Sequence, residues 1–568
     1  MKVLIVGGVA GGASAAARLR RLDEKAEIII FERGEFVSFS NCALPYYLGG
    51  VVSDWEDLLM MTPAGLKKRF NLDVRVRQEV VDILRGEKQV VVKDLTSGAE
   101  YTESYDKLIL SPGASPLRPA SVAGTDGANV FTVRDVNDVR RIKTYLEEHS
   151  VDRVAVCGGG FIGLEVAENL IRSGFGVDLI GRNRQVMPRF DEDMAQILHK
   201  ELMDNGVRLR LGCEVREIVP DGLHAVSRET GRDIFLPAGA VILALGVKPE
   251  TSLAVRSGLA IGPTGGIAVN HNCQTSDPDI YAVGDAAETF DRLARRPGLL
   301  TQAGPAQRQA RAAADHICGL NSSSRGFIGA TCLRVFGLNA ACVGLSEAAA
   351  KKAGIPCDIA FVLPTDRVSI MPDAEPMAFK LVFEIPTGRI LGAQAIGRGD
   401  AVRRADTVGT LLSMDGTIED LKELELCYSP VYGTAKDVVN IAALVAENLL
   451  NGRVRQVRVN EVRALAESGA CIIDVRENGE YARGHIRGAV NIPLSEFRER
   501  IDEVPRDRPV YLHCRTSQRS YYACRQLQNR GWTNVYNISG SFLGLCLYEY
   551  CRDVTEGREP VVTAYNFD

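Results

Sequence analysis

VLIVGGVAGG, residues 3–12, is a short apolar run that breaks into a glycine turn. An alanine-rich stretch with helical spacing follows to Leu22, then a second apolar run, Ile28 to Phe31, which ends at Glu32 and Arg33. The order is strand, glycine turn, helix, strand, acid. A helix that starts in such a turn offers unpaired N–H groups and a partial positive charge to a pyrophosphate, and the acid accepts from ribose hydroxyls. Gly7, Gly8, Ala10, Gly11 and Gly12 form the turn, with Val9 where the middle glycine of GxGxxG would stand. Glu32 follows the last glycine by about 20 residues, the spacing that the ribose role requires.

The same unit recurs at residues 154–163, VAVCGGGFIG, where Gly158, Gly160 and Gly163 complete GxGxxG. Two such units imply two dinucleotides, and a flavin with a nicotinamide is the natural pair for hydride transfer. The second unit lacks the terminal acid. Its second strand, Val177 to Ile180, runs into Gly181, Arg182, Asn183 and Arg184. Arginine there accommodates a 2′-phosphate, so NADPH is expected to serve at least as well as NADH. Residues 275–285, TSDPDIYAVGD, read as a strand delivering Gly284 and Asp285 to a helix start, where an aspartate can bond a ribityl hydroxyl and the helix can face phosphate. Leu108 to Gly113 and Leu243 to Gly246 read as crossovers between the two dinucleotide domains.

Between these units lies SFSNCALPYY, residues 38–47, with one cysteine, Cys42. The next is Cys157, so no partner stands at the close spacing of a local dithiol couple. Cys42 is read as a single-cysteine redox centre. Near the other end of the chain, VYLHC, residues 510–514, is a strand that delivers Cys514 to a tight loop ending at Arg519. A sulfur at a strand end, cradled by backbone N–H groups with an arginine close by, suits thiolate or persulfide.

The totals are ordinary for a soluble globular protein of several domains. The chain has 568 residues, 46% apolar and 24% charged, with 55 glycines and 2 tryptophans, room for roughly three to five domains. A net charge of −5 gives no argument for nucleic acid or anionic membrane as a partner. Fourteen cysteines show neither CxxC nor zinc spacing, so no metal site or disulfide framework is expected and a reducing cytoplasm is. The first strand begins almost at Met1, which leaves no room for a signal peptide. Lys436 to Leu450 is a strongly apolar helix in need of a partner surface, hence a candidate dimer contact.

The motifs GGVAGGASAA (7–16), SFSNCALPYY, YDKLILSPGAS (105–115), the second glycine unit and YAVGDAAE (281–288) resemble the single-cysteine branch of the pyridine nucleotide-disulfide oxidoreductases, above all the coenzyme A-disulfide reductases. DVRENGEYARGHIRGAVNIP (474–493) and CRTSQR (514–519) resemble a rhodanese. The fusion is similar to proteins of which some reduce coenzyme A persulfide or polysulfide. The resemblance implies an α/β chain with two Rossmann-like dinucleotide-binding domains, an α+β dimerisation domain and a C-terminal α/β rhodanese domain. The expected boundaries are 1–115 with 250–325 for FAD, 116–249 for NAD(P)H, 326–450 for dimerisation, 451–457 for a linker, 458–555 for the rhodanese and 556–568 for a tail.

The resemblance also implies roles. Cys42 would form a mixed disulfide with coenzyme A, and Ser14, Arg18, Arg21, Ser38, Asn41 and Lys436 would hold coenzyme A. Asp285 would bind FAD, and Tyr428 would reach the flavin from the dimer partner. Cys514 and Arg519 would transfer sulfur from a donor. The protein is expected to be a cytoplasmic homodimer acting on coenzyme A disulfide or persulfide. Two departures stand out. Ile370-Met371-Pro372 replaces paired tyrosines before proline, and Ser517 stands where such rhodanese loops often carry glycine. The rival readings are an NADH oxidase or peroxidase using a cysteine sulfenic acid, whose relatives place histidine where Ala10 stands, and a non-turnover persulfide carrier or sensor.

Overall fold

The computed structural model describes residues 1–567, in two compact units: residues 1–182 with 212–327, and residues 183–211 with 328 onward. In the first unit, alternation along VLIV builds two layers from one strand. Val3 and Ile5 face a core with Ala15, Ala16 and Leu19 of the Ala10–Leu22 helix, while Leu4 and Val6 face Val80, Val90 and Val92 on the other side. Successive strand residues point to opposite faces, so a continuous apolar run is what a strand covered on both sides needs. Lys2–Val6 pairs in parallel with Glu27–Glu32 and with Lys107–Leu110. Ile280–Ala282 and Asp73–Val76 complete the five-stranded sheet at its two edges.

The second nucleotide unit repeats this plan. Arg153–Cys157 pairs in parallel with Gly176–Gly181 and with Ala240–Leu243, and Val130–Phe131 adds beyond the latter. The expected crossovers, Leu108 to Gly113 and Leu243 to Gly246, lead directly into Ala114–Pro116 and Val247–Pro249, which pair antiparallel, so the chain leaves and re-enters at one place.

One expectation is corrected here. Gly284 and Asp285 do not open a long helix. They sit in a single 3-10 turn, Gly284–Ala286, which ends in extended Ala287. A hairpin of Thr289–Asp291 with Arg296–Gly298 intervenes before the Ala303–Ile317 helix. That helix still reaches the turn, because the Gly284 amide donates to Gln309 Oε1 at 2.8 Å.

In the second unit an antiparallel sheet runs in the order Thr331–Val335, Leu338–Gly344, Ile390–Gly397, Ala378–Glu384, Cys357–Val362. Lys380 is buried within it and is ringed by Asp191, Asp193 and Glu347 at 3.2, 2.9 and 3.4 Å. An ammonium taken out of water is tolerated only with such pairing. This ring groups Asp191 and Asp193 with the second unit rather than with the rest of the stretch read as the nicotinamide domain.

The apolar helix runs over Val438–Leu450 and buries Val438, Val439, Ala442, Ala443 and Ala446. That buried face packs on the Cys357–Val362 and Ala378–Glu384 strands and on the Ile418–Glu423 helix, while Ile441, Leu444, Val445, Leu449 and Leu450 remain partly exposed. Four exposed apolar side chains of this unit, Ile370, Tyr428, Val431 and Tyr432, lie in loops, while Ile385, Met414, Val490, Tyr522 and Val554 are exposed elsewhere on it.

The rhodanese-like sheet is parallel, ordered Gln456–Val457, Val535–Ile538, Val510–His513, Cys471–Asp474, Val490–Asn491. Its first strand comes from the stretch read as a linker. The stretch read as a tail is also built in: Val561 and Val562 are buried, and the Arg487 and Thr563 amides donate to Val561 O and His485 O. Short polar segments with no periodicity read as linkers, yet edge pairing needs only two residues that match a neighbouring backbone.

Candidate active site: a dinucleotide cleft beside one thiol, and a sulfur cradle

The cleft of the first unit is lined by Gly7, Ala10, Gly11, Glu32, Arg33, Asn41, Gly284 and Asp285, all singled out from the sequence, and by Ser111, Arg134 and Glu250, which were not. The Gly12 Cβ position lies 1.8 Å from Gly7 O, and that of Gly163 lies 1.9 Å from Gly158 O. No side chain fits at either place, so each helix can close on its strand only through glycine. Gly8 lies behind the lining and donates its amide to Glu32 Oε2 at 2.8 Å, while Gly34 donates to Glu32 Oε1 at 2.8 Å. The carboxylate is thereby fixed with lone pairs left for hydroxyl donors.

Burial raises the Asp285 carboxyl above its ordinary range against the opposing pull of Arg134. Asn41 Oδ1 is buried and has no hydrogen-bond partner among the described residues. A fixed acid at a helix N-terminus, a second carboxyl over the cleft and an orphaned acceptor all fit an elongated dinucleotide with hydroxyl and N–H donors.

Cys42 sits in the 3-10 turn Asn41–Ala43, next to that cleft. The loop before it is anchored through Ser38, whose amide donates to Gly8 O and whose carbonyl accepts from the Met60 amide. Ser38 holds φ +52°, a left-handed conformation that turns the chain toward the glycine motif. Cys42 is exposed, and no disulfide joins any of the fourteen cysteines. Burial of the sulfur raises the thiol pKa, and the charges of Glu165 and Asp285 raise it further.

Glu165 was missed from the sequence. It follows Gly163 by two residues in the Phe161–Arg172 helix, and burial, with Glu168 adding to it, pushes its carboxyl up to about 7. An acid inside the otherwise apolar turn Phe161–Val166 was the available signal. Removing its charge lifts a penalty on the thiolate. Glu165→Gln is therefore expected to move the pH midpoint of Cys42 alkylation by iodoacetamide downward, most visibly above pH 7, where wild-type Glu165 is ionised. An unchanged or higher midpoint would show that the two groups are not coupled.

Ser14, Arg18 and Arg21 fall on one side of the Ala10–Leu22 helix. Arg18 is not a free surface cation. Its Nε donates to buried Asp315 at 2.6 Å, which fixes the guanidinium beside the Ala303–Ile317 helix. Arg182 is exposed and its carbonyl accepts from Arg228. Gly160 caps the helix of the second glycine motif. Tyr428 and Lys436 are exposed on the second unit.

The sulfur cradle is the clearer of the two centres. Cys514 follows the Val510–His513 strand and is buried, and Ser520 Oγ approaches its Sγ at 3.6 Å. Arg519 lies in the first turn of the Gln518–Asn529 helix and donates to Glu480 at 2.6 and 2.8 Å. Glu480, also missed, is the position within ENGEY that closes a capping box on its own helix. Both side chains are partly exposed, so the pair is worth about 0.2–1 kcal/mol in stability and acts mainly to aim the guanidinium. Ser517 has φ +76°, a region that favours glycine, and its hydroxyl compensates by donating to Ile538 O at 2.9 Å. The departure at Ser517 thus has a local partner.

Comparison with known proteins agrees with this geometry. Residues 1–310 match the pyridine nucleotide-disulphide oxidoreductase family, residues 332–437 its dimerisation domain, and residues 458–546 a rhodanese-like domain. A coenzyme A disulfide reductase of Staphylococcus epidermidis is 33% identical over 448 residues, covering 78% of this chain and 100% of the relative. The crystal structure of reduced Bacillus anthracis CoADR-RHD is 42% identical, with a TM-score of 0.92 over 97% of this chain and 98% of that one. A NAD-dependent persulfide reductase from A. fulgidus is 33% identical, with a TM-score of 0.90 over 95% of this chain and 99% of that one. With two glycine-turn nucleotide units, one exposed thiol beside the first and a cysteine cradle at the far end, the chain belongs to the pyridine nucleotide-disulphide oxidoreductase family, in its coenzyme A disulfide reductase branch, and carries a C-terminal rhodanese-like domain.

Proposed function

We propose that this chain is an FAD-dependent NAD(P)H oxidoreductase that reduces coenzyme A disulfide or coenzyme A persulfide through Cys42, with sulfur supplied by its own rhodanese-like domain. The observation that carries this reading is an unpaired, exposed Cys42 on a turn whose neighbour, Asn41, lines the dinucleotide cleft. A thiol with no partner of its own must form its disulfide with the substrate. Bound FAD supplies the chemistry of accepting hydride from NAD(P)H and returning an electron pair to sulfur. Glu32, Asp285 and the Gly7–Gly12 turn would hold it.

The Cys42 thiolate attacks one sulfur of coenzyme A disulfide, forming the Cys42–coenzyme A mixed disulfide and expelling the other coenzyme A as thiolate, which takes up a proton. Two electrons then return the mixed disulfide to Cys42 thiolate and coenzyme A. With a persulfide, the outer sulfur leaves as hydrosulfide. Glu165, its carboxyl pushed by burial up to about 7, would change charge in this pH range and so tune the Cys42 thiolate. Ser14, Arg18, Arg21 and Ser38 support coenzyme A binding along the helix that starts at the cleft, and Arg18 is aimed by Asp315. The exposed Arg182 supports use of NADPH at least as well as NADH. Exposed Tyr428 and Lys436, within or beside residues matched to a dimerisation domain, support a homodimer in which Tyr428 completes the partner's thiol site. The Cys514 thiolate would take the outer, sulfane sulfur of an anionic donor such as thiosulfate, whose remainder leaves as sulfite, and the Cys514 persulfide would pass that sulfur to coenzyme A thiol, giving coenzyme A persulfide and restoring Cys514.

The test is the anaerobic rate of NADPH and NADH oxidation with coenzyme A disulfide and with coenzyme A persulfide. The reading expects turnover of at least one, stoichiometric release of coenzyme A thiol or sulfide, and a KM for NADPH no higher than for NADH. Oxidation only with oxygen or peroxide, or a single turnover, would replace it with one of the rival readings.

A further inference from the structure

Arg404, in the Ala401–Ser413 helix, is a buried cation whose bonds run to two separate loops. Its Nε and Nη2 donate to the two carboxylate oxygens of Asp437 at 3.2 and 3.0 Å. Nη2 also donates to Asp366 O at 2.8 Å and to Tyr432 O at 3.3 Å, and Nη1 to Asp400 O at 3.1 Å. Asp366 opens a loop that is closed by a bridge between Thr365 and Pro376 and that presents Ile370, 77% exposed. Tyr432 and Asp437 belong to the loop of residues 424–437, which presents Tyr428 at 51% and Tyr432 at 67% exposure. One guanidinium therefore closes both loops, which between them carry exposed Ile370, Tyr428, Val431 and Tyr432.

The planar fork is what the arrangement needs, since an ammonium offers no parallel donors to a carboxylate and two carbonyls at once. Large apolar side chains gathered on two adjacent loops mark an interaction surface. The occupant that the chain itself indicates is a second copy, because residues 332–437 match a dimerisation domain and contain both loops.

Resting on the reading of Tyr428 above, we propose that Arg404 is a positioning residue for the thiol site of the second copy. By joining the two loops it sets the direction in which Tyr428 enters the neighbouring Cys42 site. Its effect is thus exerted in trans.

The experiment uses differently tagged full-length chains, co-expressed and purified as hybrid dimers. The Arg404→Lys homodimer is expected to keep its FAD content and its KM for NAD(P)H, and to lose at least about tenfold in kcat with coenzyme A disulfide, as a small misplacement of a site group does. In the hybrid of Arg404→Lys with Cys42→Ser, the intact Cys42 meets loops from the chain with intact Arg404. Recovery to about half of wild-type turnover is the expected result. A hybrid no better than half of the Arg404→Lys homodimer, or a homodimer with unchanged kcat, overturns the proposal. Asp437→Asn, which keeps an acceptor for the fork, is run through the same hybrid should Arg404→Lys fail to fold. A hybrid of Tyr428→Phe with Cys42→Ser separates the two levels. Recovery there without recovery for Arg404→Lys removes only the role of Arg404, whereas no recovery in either removes the crossing of Tyr428 as well.

Discussion

Cys42→Ser is expected to bind FAD as the wild type does and to lose NAD(P)H-dependent reduction of coenzyme A disulfide by on the order of a thousandfold or more. The size follows from the absence of a substitute. No disulfide joins any of the fourteen cysteines, and among the described residues none lines the dinucleotide cleft, so no second thiol stands ready to form the mixed disulfide. A serine hydroxyl neither reaches the anionic form near neutral pH nor forms a bond that two electrons can cleave back to thiol. Flavin retention is expected because the groups that shape the cleft, Gly7, Gly12, Glu32 and Asp285, make none of their contacts through the Cys42 sulfur. Flavin absorbance per chain and an anaerobic assay with coenzyme A disulfide measure both halves. Turnover within tenfold of wild type would mean that sulfur chemistry at Cys42 is not the route.

Cys514→Ser is expected to lose sulfur transfer from thiosulfate by a comparable factor while leaving coenzyme A disulfide reduction intact. The cradle is self-contained. Cys514, Ser520, Arg519 and Glu480 belong to one parallel sheet and its helices, and their partners, among them Asn537 and Ser541, come from the same domain. Glu480→Gln should give a smaller loss than Cys514→Ser, because it frees Arg519 to swing without removing the sulfur acceptor. Thiosulfate-dependent thiocyanate or persulfide formation reads the transfer, and disulfide-dependent NAD(P)H oxidation reads the rest. If Cys514→Ser slows both reactions equally, the two centres are one pathway and the disulfide reaction depends on the cradle.

These contrasting effects show how differently the two centres were written into the chain. The cradle was legible almost whole, since a strand, a cysteine, a tight loop and an arginine five residues on lie within ten consecutive positions. Two members went unread: Ser520, one position beyond the loop, and Glu480, which stands 39 residues from Arg519. The thiol site was legible only as Cys42 and its loop. Glu165 escaped because its meaning comes from burial, not from spacing.

Local rules sufficed wherever the physics is local. The glycine turns at 7–12 and 158–163, the acid at Glu32, the apolar run VLIV and the crossovers at 108–113 and 243–246 all follow from backbone conformations spanning a few residues. Sequence by itself therefore determined two dinucleotide units, a single-cysteine centre and a sulfur cradle. Tertiary structure alone decided what each charged or apolar group faces. Arg18 met Asp315 across 297 residues, the buried face of the Val438–Leu450 helix found its cover inside the chain, and Arg404 tied together two loops whose sequences give no sign of each other. The reason is that an ion pair or an apolar contact depends on which surfaces packing brings within a few ångströms, and no spacing along the chain encodes that distance.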